Sequence, residues 1–414
     1  MKITTFLMVI ALYAFPNILC GQISEDSIKS TLNTFNQGLK EKNTELVQNS
    51  FAPNFSLSTS SWPNAKSLLD IIMKNVNFES ISYCSIEKQD ENITLVKTKF
   101  ILQDKKEHES LIAFNSDNKI LYVDYFDRLF GQSRYRESRL AGVLPFTQDE
   151  ESIILKIKLN DSNRVLSFLL DTGADGMAIR KALADSLNLN ISHTQNANIV
   201  GGQTQVTISS GNTVHLSDSL TLKNQNMAIF EKVRSNCDGI IGLNLVKQYI
   251  TNIDFDKQQI SFYTFGNYKY QDEGKTISVS MPYNLILIPG NLNLTGKKTV
   301  TGNFLMDTGA NYHLIGFSRF VRKNRLLLSG FKPESEGSTV SLGHATPVFN
   351  GKAHEFAIGD AIVLNDMPIT LQASGSSEST RKDIPDGSIG IQLFSKYNFT
   401  IDLLRKEIHL APRK

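Results

Sequence analysis

The sequence predicts a multidomain chain in which an N-terminal α+β unit precedes two homologous all-β lobes. Three observations predict it. At 414 residues the chain is about two to three times the usual domain size, so several hydrophobic cores are expected. Apolar residues recur first at helical spacing and then, from Ser80 onward, in alternation. The last two thirds of the chain contains a long internal repeat.

Composition excludes several function classes. Lys and Arg (43) nearly balance Asp and Glu (41) and are scattered, so no basic stripe for nucleic acid is present. The three cysteines, Cys20, Cys84 and Cys237, have no CxxC or Cys/His spacing, which leaves no zinc site or disulfide framework; Cys84 and Cys237 read as buried thiols. The histidines lack HExxH spacing and no GxSxG elbow occurs, so neither a metallopeptidase nor a serine enzyme is indicated, and no metal or other cofactor is expected.

The N-terminus reads as a secretory signal peptide over residues 1–21: Lys2, an apolar run from Phe6 to Phe15, Pro16, and a short polar stretch ending at Gly21-Gln22. No segment reaches the ~18 apolar residues of a membrane helix. The expectation is an exported protein, most simply bacterial and either periplasmic or secreted. Cys20 offers a lipoprotein alternative at the outer membrane, but Leu19 stands where a small residue belongs, which favours cleavage near Gly21.

From Ser24 to about Lys42, Ile28, Leu32, Phe35 and Leu39 fall on one helical face, with Ser24 and Ser27 available as caps and Glu25 and Asp26 in the first turn. Helices over Thr44 to Phe51 and Ala65 to Met73 follow. The period then changes to two, giving strands Ser80–Gln89, Asn92–Gln103, Glu107–Phe114 and Lys119–Phe126, with Asp117-Asn118 as a turn. Helices followed by an antiparallel sheet make an α+β unit. This order, with Phe51-Ala-Pro-Asn-Phe55 after the second helix, resembles the NTF2-like, SnoaL-type cone fold over residues 24–130. That resemblance implies a ligand-binding, accessory or dimerising domain, and it supports an alternative in which this domain carries the function. His108 reads as a solvated side chain on a polar strand, and residues 131–141, with Arg134, Arg136, Arg139 and few core residues, read as a linker.

In the remainder, Ser167-Phe-Leu-Leu-Asp-Thr-Gly-Ala174 is echoed by Asn303-Phe-Leu-Met-Asp-Thr-Gly-Ala310. Further on, Asp238-Gly-Ile-Ile-Gly-Leu-Asn-Leu245 matches Asp386-Gly-Ser-Ile-Gly-Ile-Gln-Leu393, and the match continues without a gap through Tyr249/Tyr397 and Asp254/Asp402 to Ile260/Ile408. Two all-β lobes, 142–264 and 275–412, are therefore expected to pair within one chain.

In each copy an apolar strand runs into Asp-Thr-Gly, which puts a carboxylate where the chain must turn. Glycine permits the turn, and the threonine hydroxyl can bond backbone across the interface between two such loops. Two carboxyls brought together cannot both ionise, so they share a proton and can act as acid and base on a water attacking an amide. Asp171-Thr172-Gly173-Ala174 and Asp307-Thr308-Gly309-Ala310, each with its later apolar-Gly segment, resemble the aspartic peptidase superfamily, and most closely the retropepsin-type sequences and related bacterial exported aspartyl proteases. The resemblance implies an acid protease fold acting on peptide or protein substrates. It also implies a water-activating Asp171/Asp307 dyad, loop support from Thr172, Gly173, Thr308 and Gly309, and Ile240-Ile241-Gly242 with Ser388-Ile389-Gly390 packed behind.

Ser388 sits where the pattern prefers an apolar residue. Ala174 and Ala310 lack a hydroxyl that would donate to the ionised dyad, which raises its apparent pKa and predicts a weakly acidic optimum. The lobe-one flap candidate is Ile199 to Val206, with Gly201 and Gly202 at its tip, against an ordinary hairpin turn as the alternative, and it holds no tyrosine. The lobe-two counterpart is the loop around Gly337 or Gly343. A protease-fold binding module without activity is the rival reading, since fold alone does not establish catalysis.

Overall fold

The computed structural model describes residues 24–199, 202–231, 233, 236–270, 274–341, 344–359, 361–373 and 385–414. The proposed signal peptide, Cys20 and the candidate flap residue Gly201 lie outside the described residues, as does Gly343. Among those described, no helix is long and apolar enough to cross a membrane. The chain divides into two compact units, one comprising residues up to Pro53 and Met73–Tyr125, the other Asn54–Ile72 and Phe126–Lys414.

In the first unit the helix Glu25–Lys40 starts where Ser24 Oγ accepts the Ser27 N–H, with Glu25 and Asp26 against the positive helix end. It buries Ile28, Leu32, Phe35 and Leu39. The helix Thr44–Gln48 follows, capped by Asn43. Strands Phe78–Gln89, Thr94–Leu102, Glu107–Phe114 and Ile120–Val123 form a four-stranded antiparallel meander. Alternation is cleanest in Thr94–Leu102, where Thr94, Val96, Thr98 and Phe100 are buried. Cys84 is exposed, because its position on the first of these strands points away from the packed face. The strand expected over Lys119–Phe126 stops at Val123. Val123, Asp124, Tyr125 and Phe126 are all buried, which a strand with one wet face cannot achieve, and Asp124–Leu129 is helical.

The second unit is mostly β. A 13-stranded sheet contains the strands from Leu140 to Tyr263 together with Lys275–Ser278 and the last two strands of the chain, and a seven-stranded sheet lies between Leu287 and Gly390. Several cores were expected over the whole chain. Within this unit one contiguous cluster runs from Leu144 to Leu410 through Phe168, Phe255, Phe304, Phe394 and Phe399. The repeat appears directly in the hydrogen-bond ladder. Strands Ile250–Asp254 and Tyr397–Asp402 pair antiparallel with Asn252 opposite Thr400, and the gapless match of Asp254 with Asp402 makes these two residues repeat equivalents. A local two-fold axis therefore passes between them, where Asn252 Nδ2 donates to Thr400 Oγ1 at 2.8 Å.

Two stretches differ from the sequence reading. Residues 131–141 are not a detached linker. Arg134 is 5% exposed, its Nε donates to Asp127 Oδ2 at 2.7 Å, and its guanidinium also reaches Leu404 O and Ser56 Oγ. A run poor in apolar residues can still be buried when its charge is paired and hydrogen-bonded. Residues 54–72, read with the first domain, cluster with the second unit. There the Ser58 N–H donates to Asp127 Oδ1 at 2.6 Å and Lys406 Nζ to Thr59 O at 2.6 Å.

Candidate active site

The site is built by two copies of one strand arrangement. Strand Leu166–Leu170 leads into Asp171, and strand Thr299–Asp307 ends on Asp307. In each half a later strand wedges beside the aspartate. Gly239–Ile241 runs parallel to Leu166–Leu170 and antiparallel to Met177–Arg180; Gly387–Gly390 runs parallel to Thr299–Asp307 and antiparallel to Leu314–Gly316. Each wedge ends at a glycine for a steric reason. A Cβ on Gly242 would lie 2.3 Å from Gly176 O and 2.4 Å from Ala174 O; on Gly390 it would lie 2.2 Å from Tyr312 O.

The two loops meet tip to tip. The Thr172 hydroxyl donates to Met306 O at 2.8 Å and accepts the Thr308 N–H at 3.1 Å. The Thr308 hydroxyl donates to Leu170 O at 2.8 Å and accepts the Thr172 N–H at 3.0 Å. Both threonines are fully buried. Four reciprocal bonds in a dry setting fix the loops to each other, and no polar group at this contact is left without a partner.

This brings Asp171 and Asp307 together, close enough for the charge of one to act on the other. A Cβ on Gly173 would fall 2.8 Å from the Asp307 carboxyl carbon, and one on Gly309 would fall 2.3 Å from that of Asp171. Glycine is therefore needed for close approach as well as for the turn. The Gly173 N–H donates to Asp171 Oδ1 at 2.8 Å, and the Gly309 N–H to Asp307 Oδ1 at 3.1 Å. Each aspartate keeps part of its surface open while protein surrounds its carboxyl. That burial pushes both above the usual carboxylate range, and the repulsion between the two charges adds to it. The loop N–H groups oppose the rise.

Outside the pair the halves diverge. Asp175 forms an ion pair with Lys247 and accepts from Asn284 Nδ2 at 3.2 Å. At the matching position Asn311 donates to Glu150 and accepts from Gln392 Nε2 at 3.0 Å. Ser388 is fully buried; its hydroxyl donates to Leu305 O at 3.3 Å and lies close to the Tyr312 side chain. Tyr312 was not singled out from sequence. The signal that would have found it is the repeat itself, which sets a tyrosine against Gly176. Burial and the neighbouring Asp307 charge push the Tyr312 phenol up, so it stays neutral.

Of the flap candidates, Gly202 opens strand Gly202–His215, which pairs with Ile191–Ile199 so that Ile199 faces Gly202. Gly337 is not in a loop but within strand Ser335–Ser341, paired to Val348, because the ladder continues past it to Ser341. Among the described residues, no three His, Cys, Asp or Glu side chains gather as a metal site.

An aspartyl protease family model matches residues 155–245, which hold the first aspartate loop and its wedge strand but not the second copy. Among solved structures, the chain is similar to an aspartic proteinase from Irpex lacteus at 13% identity and a TM-score of 0.44, covering 67% of this chain and 98% of that one. No curated protein matches the chain. The family match supports an aspartyl protease family and a hydrolytic, protease-type function.

Proposed function

We propose that the chain is an aspartic endopeptidase in which Asp171 and Asp307 together activate a water against a substrate amide. The observation that carries this reading is the meeting of two repeat-related carboxyls, each packed against the other half's loop glycine and braced by reciprocal threonine bonds. One shared proton leaves one carboxylate to take a proton from water and one acid to polarise the carbonyl oxygen. As the tetrahedral intermediate collapses, the carboxyl that received the proton returns it to the leaving nitrogen. Thr172, Gly173, Thr308 and Gly309 hold the geometry and take no proton.

The pH optimum follows from the direction of the shifts. Both carboxyls are raised, so the singly protonated window moves up, toward weakly acidic rather than strongly acidic pH. A cleavage profile peaking below about pH 3 would contradict this. In the same reading residues 142–264 and 275–412 are the paired lobes, and residues 24–53 with 73–125 are an NTF2-like accessory domain. The protein is exported after loss of residues 1–21 and is of bacterial type.

The test is cleavage of a mixed peptide library by the mature chain and by Asp171→Asn and Asp307→Asn across pH ~3–8. Cutting by wild type alone supports the dyad. A folded wild type that cuts nothing at any pH leaves a binding module.

A further inference from the structure

The symmetric features of the site cannot decide which carboxyl holds the shared proton. Both aspartates receive a glycine N–H, both loops carry a bracing threonine, and both wedges end in glycine. Two linked departures from the repeat do distinguish them, and both are in the second half. Tyr312 stands opposite Gly176, and Ser388 opposite Ile240.

These departures form one physical unit. Ser388 lies in the wedge strand, fully buried, with its hydroxyl donating to Leu305 O at 3.3 Å and close to the Tyr312 side chain. The Tyr312 ring lies against Gly390, since a Cβ there would come 2.8 Å from Tyr312 Cδ2. Gly390 is in turn the ladder partner of Asp307. A phenyl ring thus covers the backbone beside Asp307, while Gly176 offers no side chain beside Asp171. The shorter glycine contact, 2.8 Å to Asp171 against 3.1 Å to Asp307, favours the same division. The other polar groups nearby are accounted for: His313 is half-buried near Gln392 and Lys396, and Asn311 binds Glu150.

We propose that Tyr312, seated by Ser388, is a positioning residue that shields the Asp307 side of the pair, so that Asp307 holds the shared proton and Asp171 is the ionised member. Deepening the aspartic endopeptidase reading, this makes Asp171 the base toward water and Asp307 the acid toward the carbonyl. The shielding acts by removing water from around Asp307, which disfavours its charged form.

The test is an NMR titration of the full chain labelled with ¹³Cγ-aspartate, with Asp171→Asn and Asp307→Asn assigning the two resonances. In wild type, the Asp307 carboxyl is expected to remain protonated on the plateau between the two steps. Tyr312→Phe, which keeps the ring, should keep its midpoint. Tyr312→Gly should lower it by about one pH unit, tenfold in proton affinity, and Ser388→Ala by less. Should Tyr312→Gly fail to fold, Tyr312→Ala makes the same comparison. An unchanged Asp307 midpoint in a folded ringless variant, or protonation of Asp171 first, overturns the proposal. The readout needs no turnover, so a wild type that cuts nothing defeats the endopeptidase reading while the titration still decides this one. If peptides are cut, the alkaline limb of kcat/KM should move with the Asp307 midpoint.

Discussion

The Asp171 loop and the Asp307 loop carry the same four residues, yet they differ within five residues of the aspartate. The shared part is the part that geometry forces. Thr172 and Thr308 exchange equivalent bonds across the axis, and Gly173 and Gly309 each leave room for the other half's carboxyl. The part that differs bears on one carboxyl at a time: Asp175 with Lys247 in one half, Asn311 with Glu150, and Tyr312 with Ser388, in the other. A duplicated site can thus keep its frame symmetric while its two acids face different surroundings. Different surroundings are what assign different roles to paired carboxylates.

The largest expected effect tests whether the two halves are equally required. Asp171→Asn and Asp307→Asn should each reduce kcat/KM by at least about 10³-fold, and the double variant should be little worse than either, because one proton serves both. Single-turnover cleavage of the best library peptide measures this. Substantial activity in either single variant would make that half dispensable and break the comparison.

Next come the steric and bracing residues, where the halves should behave alike. Gly242→Ala and Gly390→Ala each force a Cβ to within 2.4 Å of a carbonyl oxygen, so each should destabilise by about 3 kcal/mol or more in urea unfolding. Thr172→Val leaves Met306 O and the Thr308 N–H unpaired; Thr308→Val leaves Leu170 O and the Thr172 N–H unpaired. With each buried orphan costing about 1–3 kcal/mol, the two variants should lose similar amounts. A clear inequality would mean that the brace is one-sided.

Stability against pH separates the aspartates from the rest of the fold. A carboxyl whose folded pKa is raised binds more protons in the native state than in the unfolded chain. Its contribution therefore declines as pH climbs from about 4 to the raised value. Replacing Asp307 with Asn removes that loss, so Asp307→Asn should gain on the order of 1 kcal/mol over wild type at pH 7–8 and little near pH 4. Asp171→Asn should gain as well, because losing either charge relieves the repulsion within the pair. Thermal melts at the two pH values check the sign.

The frame of this site is legible in the sequence because backbone constraints leave residue signatures. A strand that must turn at a carboxylate needs Asp-Thr-Gly, and a wedge strand passing 2.3 Å from where a Cβ would stand needs glycine. What stayed hidden depends on pairing across long stretches of chain. Arg134 read as linker because nothing local announces that Asp127 and Leu404 O will enclose it. The helix Asp124–Leu129 read as the end of a strand because Ile120–Val123 is an unbroken apolar run and nothing local marks where the strand stops. Tyr312 carries no signature of its own, because the repeat marks positions where the copies agree, whereas the asymmetry lies where they disagree.

The smallest effect sharpens that last point. Asn311→Asp restores the first half's residue in the second half, but not its surroundings. Asp175 faces Lys247, whereas position 311 faces Glu150. The substitution should therefore place like charges together and cost up to about 1 kcal/mol, at a largely exposed site where salt screens the repulsion. The cost should be greatest near neutral pH in low salt, and should shrink both in ~1 M salt and at a pH low enough to protonate one carboxylate. A second substitution, Glu150→Gln, should remove it, because the amide can again pair with the new carboxylate. If Asn311→Asp proves neutral at low salt, the Asn311–Glu150 bond has no energetic role, and Tyr312 with Ser388 is the asymmetry that remains.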